Sequence, residues 1–181
     1  MHLSTTFGCL LAAVPVIQSH FILTYPGSLG FDDDTEAQSP CGGSAISFND
    51  TNPTIQGNSF PVAVMSTHPA ANWLYRATLS KEAPFNWTNL LPVVDETGLG
   101  NFCLQELSAP AEFIGQSGLL QVIQQGPDGM LYQVWRSRTV STINPRLMIV
   151  TVCRSQVREW FHNRESARVQ KRYRPHCFHH E

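Results

Sequence analysis

The strongest structural signal in the chain is the stretch Leu119-Leu-Gln-Val-Ile-Gln-Gln-Gly-Pro-Asp-Gly-Met-Leu-Tyr-Gln-Val-Trp135. It contains two apolar runs, Leu119–Gln124 and Leu131–Trp135, with Gly126-Pro-Asp-Gly129 between them. Short apolar runs on either side of a Gly-containing turn are typical of two antiparallel strands joined by a tight loop. The stretch therefore predicts a β-hairpin.

The pattern of short strands and turns continues through the rest of residues 20–133. Other strand-like runs are Ala45–Phe48, Pro61–Met65, Leu74–Leu79 and Phe113–Ile114, and turns containing Gly or Pro separate them. This part of the chain has no long stretch of helical periodicity. Many short strands separated by turns predict an all-β domain in which antiparallel sheets pack as a β-sandwich.

Length, composition and charge narrow the function classes. The chain has 181 residues, which suggests one domain, and only 14% of them are charged. This composition argues against a disordered chain, a charged coiled coil or a protein that binds nucleic acid through overall basicity. Residues 1–133 hold eleven acidic and two basic side chains, whereas residues 134–181 hold three acidic and ten basic ones. The basic tail therefore needs a separate explanation.

The first residues of the chain predict export. The apolar run Phe7–Ile17 is too short to span about 30 Å of hydrocarbon. It fits the centre of a signal peptide covering residues 1–19, and a buried strand or helix is the alternative. The sequons Asn49-Asp-Thr51 and Asn86-Trp-Thr88 agree with a secreted glycoprotein, and no later apolar run is long enough for a transmembrane helix. We therefore expect an extracellular protein.

Cleavage after Ser19 would make His20 the first residue of the mature protein. The free amine and the imidazole of His20 would then place two nitrogen donors in one chelate ring. His68 follows the predicted strand Pro61–Met65, and a second imidazole there would complete a site of three nitrogen donors. Such a site suits copper. The alternatives are a frayed terminal His20 that has no role and a His68 that is structural.

A series of motifs resembles one fungal family. These motifs are His20-Phe-Ile-Leu-Thr-Tyr-Pro26, Gly30-Phe-Asp-Asp-Asp34, Pro40-Cys-Gly-Gly43, Ser66-Thr-His-Pro69, Thr97-Gly-Leu-Gly-Asn-Phe-Cys103, Gln121-Val-Ile-Gln124 and Asp128-Gly-Met-Leu-Tyr-Gln133. Residues 20–133 are thereby similar to secreted copper-binding proteins that resemble lytic polysaccharide monooxygenases, including the BIM-like copper acquisition factors. The resemblance implies an immunoglobulin- or fibronectin-like β-sandwich. It also implies one Cu(II) ion per chain, held by His20 and His68 in a histidine brace.

The resemblance further implies a carboxylate near the copper ion, and we assign this role to Asp128 in the predicted hairpin. Asp32, Asp33 and Asp34 are rivals because they lie close to His20 in the sequence. Asp-Gly is also a favoured turn pair, so a turn residue without a metal role is the alternative for Asp128. A carboxylate facing the metal would add negative charge and fill an open position, which favours binding over oxidation.

The cysteines depart from the family pattern. Removal of the signal peptide would leave Cys41, Cys103, Cys153 and Cys177, and four cysteines allow three pairings. In the family a cysteine directly follows the Tyr-Gln of the last shared strand, whereas Val134 stands in that place here. We therefore expect the domain of residues 20–133 to be incomplete at its C-terminal strands.

Residues 134–181 have two interpretations. The segment Gln156–Tyr173 could form a basic helix that binds a membrane surface or a polyanion. We favour the alternative of an arbitrary sequence translated from an unspliced intron or a shifted frame, because every valine codon begins with the GT that opens most introns. The residues His176, Cys177, His179 and His180 lack the separated ligand pairs of a zinc site.

Together, the residues and the resemblance predict a secreted, monomeric copper-binding protein that acts in copper acquisition or homeostasis at the fungal cell surface. The expected partner is a membrane copper transporter or a cell-wall component. Two alternatives stay open: a copper-dependent lytic polysaccharide monooxygenase, and a cell-wall interaction domain with a vestigial metal site. Motifs of other enzyme classes, such as a Ser-His-Asp signature or a paired-carboxylate spacing, are absent from the sequence.

Overall fold

A computed structural model describes residues 19–48 and 54–140 of the chain. The signal segment 1–18, the sequon at Asn49, Cys153, Cys177 and the predicted helix Gln156–Tyr173 lie outside the described residues. Within the described residues there are nine strands and one short 3-10 helix: β1 (Phe21–Tyr25), β2 (Thr54–Gln56), β3 (Phe60–Ser66), β4 (Ala70–Thr78), β5 (Thr88–Asn89), β6 (Val94–Thr97), β7 (Gly100–Leu107), the 3-10 helix (Ala111–Phe113), β8 (Ser117–Gly126) and β9 (Gly129–Val140). No helix in these ranges has the length and apolar character needed to cross a bilayer.

The strands form two sheets. The smaller sheet has the order β1-β3-β7 and is antiparallel throughout. The larger sheet has the order β2-β9-β8-β4-β5, and β6 also pairs with β4. The predicted all-β sandwich is confirmed. One pairing differs from a purely antiparallel arrangement, because β2 runs parallel to β9 and pairs Thr54 with Arg138.

Side chains from both sheets meet in one hydrophobic core. Successive residues of a strand point to opposite faces, so alternate positions of β3, β4, β8 and β9 supply this core. Phe21 of the smaller sheet and Trp73 of the larger sheet meet edge to face, with ring centroids 5.0 Å apart. Both residues are buried. Burial of an apolar side chain of this size contributes about 1.5–3 kcal/mol, and here it fixes the start of β1 against the opposite sheet.

The predicted β8–β9 hairpin is confirmed. Gly126 pairs with Gly129, which leaves Pro127 and Asp128 as the two-residue connection. Gly129 has a φ of 131°, a conformation that glycine adopts without steric cost. The hairpin therefore holds Asp128 at the end of two long, paired strands.

The structure differs from the sequence prediction at the expected boundary of residue 133. Strand β9 continues beyond that residue to Val140, and Val134 is fully buried. Arg136 and Arg138 made this segment look unlike the preceding strand. They alternate with the buried Trp135 and Ser137, so the two arginines occupy the other face of β9. The domain therefore extends past residue 133.

Two predicted strands are wrong. Ala45–Phe48 belongs to the irregular segment between β1 and β2, which lies along an edge of β9. There the Leu29 amide donates to the Val134 carbonyl at 2.9 Å, and the Tyr132 amide donates to the Glu36 carbonyl at 2.9 Å. These long-range bonds satisfy edge groups of β9, an arrangement that local sequence does not reveal.

The second wrong prediction is the strand Phe113–Ile114. Pro110 has a φ of −54°, and the 3-10 helix Ala111–Phe113 begins directly after it. The Phe113 amide donates to the Pro110 carbonyl at 2.9 Å, which closes the turn. The apolar side chain of Phe113 is buried, so burial and not strand pairing accounts for its apolar character.

Candidate metal centre

Strand topology brings the three predicted ligands to one end of the sandwich. His20 directly precedes β1 and His68 follows β3, and these strands pair antiparallel with Phe21 opposite Ser66. Asp128 lies in the β8–β9 turn, which belongs to the other sheet. Because the hairpin turns at the same end, all three residues lie at this end of the sandwich although more than a hundred residues separate the first from the last.

His68 and Asp128 are in direct contact. The Nε2 atom of His68 lies 2.5 Å from Oδ1 of Asp128, and the two side chains are 1% and 19% exposed. Partial burial raises the pKa of Asp128, but hydrogen bonds with His68 and from the Ser19 amide outweigh this effect. The pKa of Asp128 therefore lies below its ordinary value, and the side chain is a carboxylate at neutral pH.

Gly126 allows the hairpin to approach His68. A Cβ atom at position 126 would overlap the His68 ring at Nε2 and Cδ2, and would lie 3.0 Å from Oδ1 of Asp128. The reason for glycine here is space, because a side chain of any size would occupy the position of the imidazole. The local sequence indicates only that Gly126 belongs to a turn.

His20 is held by contacts to its backbone nitrogen and to its imidazole ring. Its backbone nitrogen donates to Oγ1 of Thr67 at 2.8 Å. Its ring Nε2 lies 3.3 Å from the carbonyl oxygen of Asp33 and 3.8 Å from Oδ1 of the same residue. A carbonyl oxygen only accepts, so the bond to Asp33 places the proton on Nε2. Nδ1, the nitrogen that forms a chelate ring with the residue's own amine, then keeps its lone pair.

The acidic rivals occupy different places from Asp128. Asp33 approaches His20 from the Nε2 side, and its side chain is 67% exposed. Asp32 accepts a hydrogen bond from the Asp34 amide at 2.9 Å, which closes a local turn. Of these carboxylates, Asp128 is the one in hydrogen-bond contact with His68.

Ser19 connects His20 to Asp128 in this chain. Its amide donates to Oδ2 of Asp128 at 3.0 Å. While Ser19 is attached, the nitrogen of His20 is a peptide nitrogen whose lone pair is delocalised, so it is not a metal ligand. Across residues 19–48 and 54–140, no three His, Cys, Asp or Glu side chains form a group that could hold a metal ion. The side chains of His20, His68 and Asp128 thus do not form such a group in this structure, and the amine of a chain that begins at His20 would be a further donor.

A buried polar network lies behind His68. Ser66 Oγ accepts a hydrogen bond from Nε2 of Gln124 at 2.7 Å and from the His68 amide at 3.3 Å. Trp73 Nε1 donates to the buried carboxyl group of Glu96. Burial raises the pKa of Glu96, opposed by hydrogen bonds to Ser66 and Trp73. Sequence reasoning did not identify Glu96, because its partners are distant in the chain.

Three atoms of this network are buried without a partner in the described part of the chain: Nδ1 of His68, Oε1 of Glu96 and Oε1 of Gln124. Buried polar atoms are normally satisfied. A histidine that binds a metal through Nε2 carries its proton on Nδ1, which needs an acceptor. Oε1 of Glu96 and Oε1 of Gln124 are acceptor oxygens of the same network. The chemistry of these residues thus fits a metal bound at Nε2 of His68 on condition that Nε2 gives up the hydrogen bond it makes to Asp128.

A second buried pair anchors β1 next to His20. Oε1 of Gln133 accepts from the Leu23 amide at 2.9 Å, and Nε2 of Gln133 donates to the Phe21 carbonyl and, at 2.7 Å, to Oε1 of Glu36. Glu36 is 1% exposed, and burial raises its pKa to about 7. The pair joins β9 to β1 across the core, which restrains the strand that begins after His20.

The cysteines differ from a fully paired set. Cys41 is buried and free, whereas Cys103 is disulfide-bonded. Cys41 lies directly before Gly42, where a Cβ atom would overlap the Tyr132 carbonyl. Cys41 therefore takes part in none of the possible disulfide pairings in this structure.

Comparison with known families gives one match that covers most of the described residues. The family model described as the copper acquisition factor BIM1-like domain matches residues 18–135. This range includes His20, His68 and Asp128, and it ends inside β9. It also extends beyond the boundary of 133 that the sequence motifs suggested.

Two curated relatives are similar to this chain. An uncharacterized protein of Aspergillus fumigatus is 36% identical over 131 residues, which cover 68% of this chain and 54% of that protein. The lytic polysaccharide monooxygenase-like protein X325 of Yarrowia lipolytica is 30% identical over 132 residues, covering 68% of this chain and 50% of the relative. The chain therefore spans about half the length of these relatives.

Two solved structures show a distant likeness. The structure of T. fusca AA10A has 12% identity and a TM-score of 0.39, covering 50% of this chain and 52% of that one. The structure of ScLPMO10B in complex with zinc has 14% identity and a TM-score of 0.43, covering 65% and 72%. Both TM-scores are below 0.5.

Proposed function

This chain belongs to the BIM1-like copper acquisition factor family, and from that membership we propose that it is an extracellular protein that binds one Cu(II) ion through a histidine brace. The ligands are the amine and Nδ1 of His20, Nε2 of His68 and the carboxylate of Asp128. The family itself gives the chain a copper-related role. The brace, its residues and the extracellular location are the proposal.

One observation carries the proposal. Nε2 of His68 lies 2.5 Å from Oδ1 of Asp128. The Ser19 amide donates to the same carboxylate at 3.0 Å, and Ser19 directly precedes His20, so this contact lies beside the start of the mature chain. Removal of residues 1–19 would free one oxygen of Asp128 and convert the His20 nitrogen into an amine. The amine has a reference pKa of about 7.7–8.0, so a metal can displace its proton near neutral pH.

The residues around the site support binding rather than oxidation. When bound, copper would supply a positive charge that three nitrogen donors and one carboxylate stabilise. Asp128 is ionised at neutral pH and would occupy a position that an oxidase keeps open for its co-substrate. The Nε2–H bond of His20 to Asp33 leaves Nδ1 free to donate its lone pair. We therefore propose a role in copper acquisition or homeostasis at the cell surface.

The experiment compares mature chains that begin at His20 and end at Glu181. Cu(II) affinity is measured by competition with a chelator, and electron paramagnetic resonance reports the nitrogen ligands. A chain that retains Ser19 keeps both imidazoles but has its free amine on Ser19 instead of His20. We expect this extension and His68→Ala each to weaken binding by more than the roughly 10- to 100-fold typical of losing a group behind a ligand.

Two control variants test whether a carboxylate other than Asp128 contributes to copper binding. The possible outcomes of the experiment distinguish the three candidate functions. Asp33→Asn tests the rival carboxylate, and Asp34→Asn is the matched control from the same acidic run; neither should change the affinity. Unchanged binding after the Ser19 extension would overturn the brace. An absence of copper binding by the wild-type chain would favour a cell-wall domain with a vestigial site. Oxidised oligosaccharides formed by the copper-loaded protein would instead identify a monooxygenase.

A further inference from the structure

We propose that Thr67 is a positioning residue, and that its hydroxyl group orients the N-terminal amine of His20 in the mature protein. This inference rests on the proposed function, because it concerns an amine that exists only after cleavage before His20. It concerns a residue that binds no metal itself. Its effect would be exerted through the backbone of His20.

Thr67 holds both polar backbone atoms of His20. Oγ1 of Thr67 accepts from the His20 nitrogen at 2.8 Å and donates to the His20 carbonyl at 2.8 Å. The Thr67 amide donates to the same carbonyl at 3.1 Å. One exposed side chain thus restrains the nitrogen and the carbonyl of the residue that carries the first imidazole.

The position of Thr67 follows from the strand register. The β1–β3 ladder begins with Phe21 opposite Ser66, so His20 and Thr67 are the next facing pair beyond it. The Thr67 amide continues the ladder to the His20 carbonyl. The His20 nitrogen bonds instead to the Thr67 side chain. A hydroxyl group therefore meets the nitrogen that would become the amine.

The geometry restricts the directions in which the amine lone pair would point. A free amine has two hydrogens and one lone pair in three staggered directions around the N–Cα bond. If one hydrogen stays on Thr67 Oγ1, the lone pair is limited to the two remaining directions. One of these is the direction vacated by Ser19, whose own nitrogen lies 3.0 Å from Asp128. That direction leads toward Asp128 and the His68 Nε2 atom beside it.

Removal of the hydroxyl group should therefore weaken copper binding without removing a ligand. A hydrogen bond of this kind changes an equilibrium by about three- to tenfold. We expect Thr67→Val, which keeps the branched shape but lacks the hydroxyl group, to weaken Cu(II) binding about three- to tenfold. Thr67→Ser keeps the hydroxyl group and should remain close to the wild type. Thr97→Val, an exposed threonine in β6, is the matched control and should leave the affinity unchanged.

A double-mutant cycle separates positioning from a structural role. Each Thr67 variant is made in the chain beginning at His20 and in the chain that retains Ser19, where the amine of His20 is absent. Positioning of the amine predicts that Thr67→Val weakens copper binding only in the first background. A structural role predicts the same loss in both backgrounds. Urea unfolding of the metal-free proteins reports any loss of stability separately, and Thr67→Ala replaces Thr67→Val if the valine variant does not fold.

The outcomes distinguish this inference from the proposed function. If the Ser19 extension abolishes tight binding but Thr67→Val binds copper like the wild type, the brace stands and the role of Thr67 is wrong. An equal loss in both backgrounds also overturns it. If the Ser19 extension has no effect, the brace and the inference fail together. Loss in Thr67→Val with recovery in Thr67→Ser, confined to the chain that begins at His20, supports the inference.

Discussion

The imidazole of His68 and the carboxylate of Asp128, sixty residues apart in sequence, are joined by a contact of 2.5 Å between Nε2 and Oδ1. The contact links the end of β3 in the smaller sheet to the β8–β9 hairpin of the larger one. It joins the two sheets at this end of the sandwich and forms one side of the proposed copper site. The first prediction tests this relationship.

Asp128→Asn removes the charge but keeps an oxygen that can face His68. We expect Cu(II) affinity to fall less than about tenfold, which is below the roughly 10- to 100-fold loss typical of removing a group behind a metal ligand. The electron paramagnetic resonance spectrum should change more than the affinity, because the charge near the metal changes. His68→Ala is measured in parallel and should lose far more affinity. Equal losses in the two variants would contradict the different roles assigned to the two residues.

Gly126→Ala should disturb the same contact from the hairpin side. The added Cβ would overlap the His68 ring, so either the ring or the turn must move. We expect the free energy of unfolding to fall by about 1–3 kcal/mol, as for overpacked sites, and copper binding to weaken. Urea unfolding and copper titration provide the measurements. The control is Gly27→Ala, because nothing lies within 4 Å of a Cβ at that position. Wild-type behaviour of Gly126→Ala would show that the hairpin is not closely packed on His68.

Glu36 should make stability depend on pH between about 5 and 8. Burial raises its pKa to about 7, whereas an unfolded glutamate titrates near 4.3. The folded state therefore holds a proton that the unfolded state has lost, and the free energy of unfolding falls as the pH rises through this range. We expect a decrease of about 1–3 kcal/mol between pH 5 and pH 8. Urea unfolding of the metal-free protein at several pH values gives this profile.

The variant Glu36→Gln tests whether Glu36 causes this dependence of the unfolding free energy on pH. It keeps an oxygen for the Gln133 amide but has no titratable proton, so most of the decrease between pH 5 and pH 8 should disappear. Glu112→Gln, at an exposed position of the 3-10 helix, is the control and should preserve the wild-type profile. A profile that survives in Glu36→Gln would assign the pH dependence to another group.

Glu96 should stabilise the buried network behind His68 through its hydrogen bond with Trp73. In Glu96→Ala the Nε1–H group of Trp73 loses its acceptor, and an unsatisfied buried donor costs about 1–3 kcal/mol of unfolding free energy. Glu96→Gln retains an acceptor oxygen and should be less destabilised. Tryptophan fluorescence during urea unfolding reports both. If Glu96→Ala and Glu96→Gln are equally stable, the bond to Trp73 contributes nothing measurable.

The strand pattern could be predicted where local residues specify it. The apolar runs around Gly126–Gly129 identify the β8–β9 hairpin, because alternation along two strands and a Gly-bounded turn are local properties. Pro61–Met65 and Leu74–Leu79 likewise coincide largely with β3 and β4. Ala45–Phe48 has the same local character but no strand partner, since its segment lies irregularly along β9. Strand formation needs a partner, and the partner is set by the whole fold.

The amino-acid sequence alone identifies the candidate residues for chemistry. Residue type, position and family resemblance point to His20, His68 and Asp128, whose role as ligands is a prediction. The groups that surround these residues follow only from the tertiary structure. Thr67 meets His20 through strand pairing, Gly126 meets His68 through the hairpin, and Glu96 joins the network from β6. These contacts join residues from separate strands, and their distances depend on how two sheets pack, which no local pattern in the chain encodes.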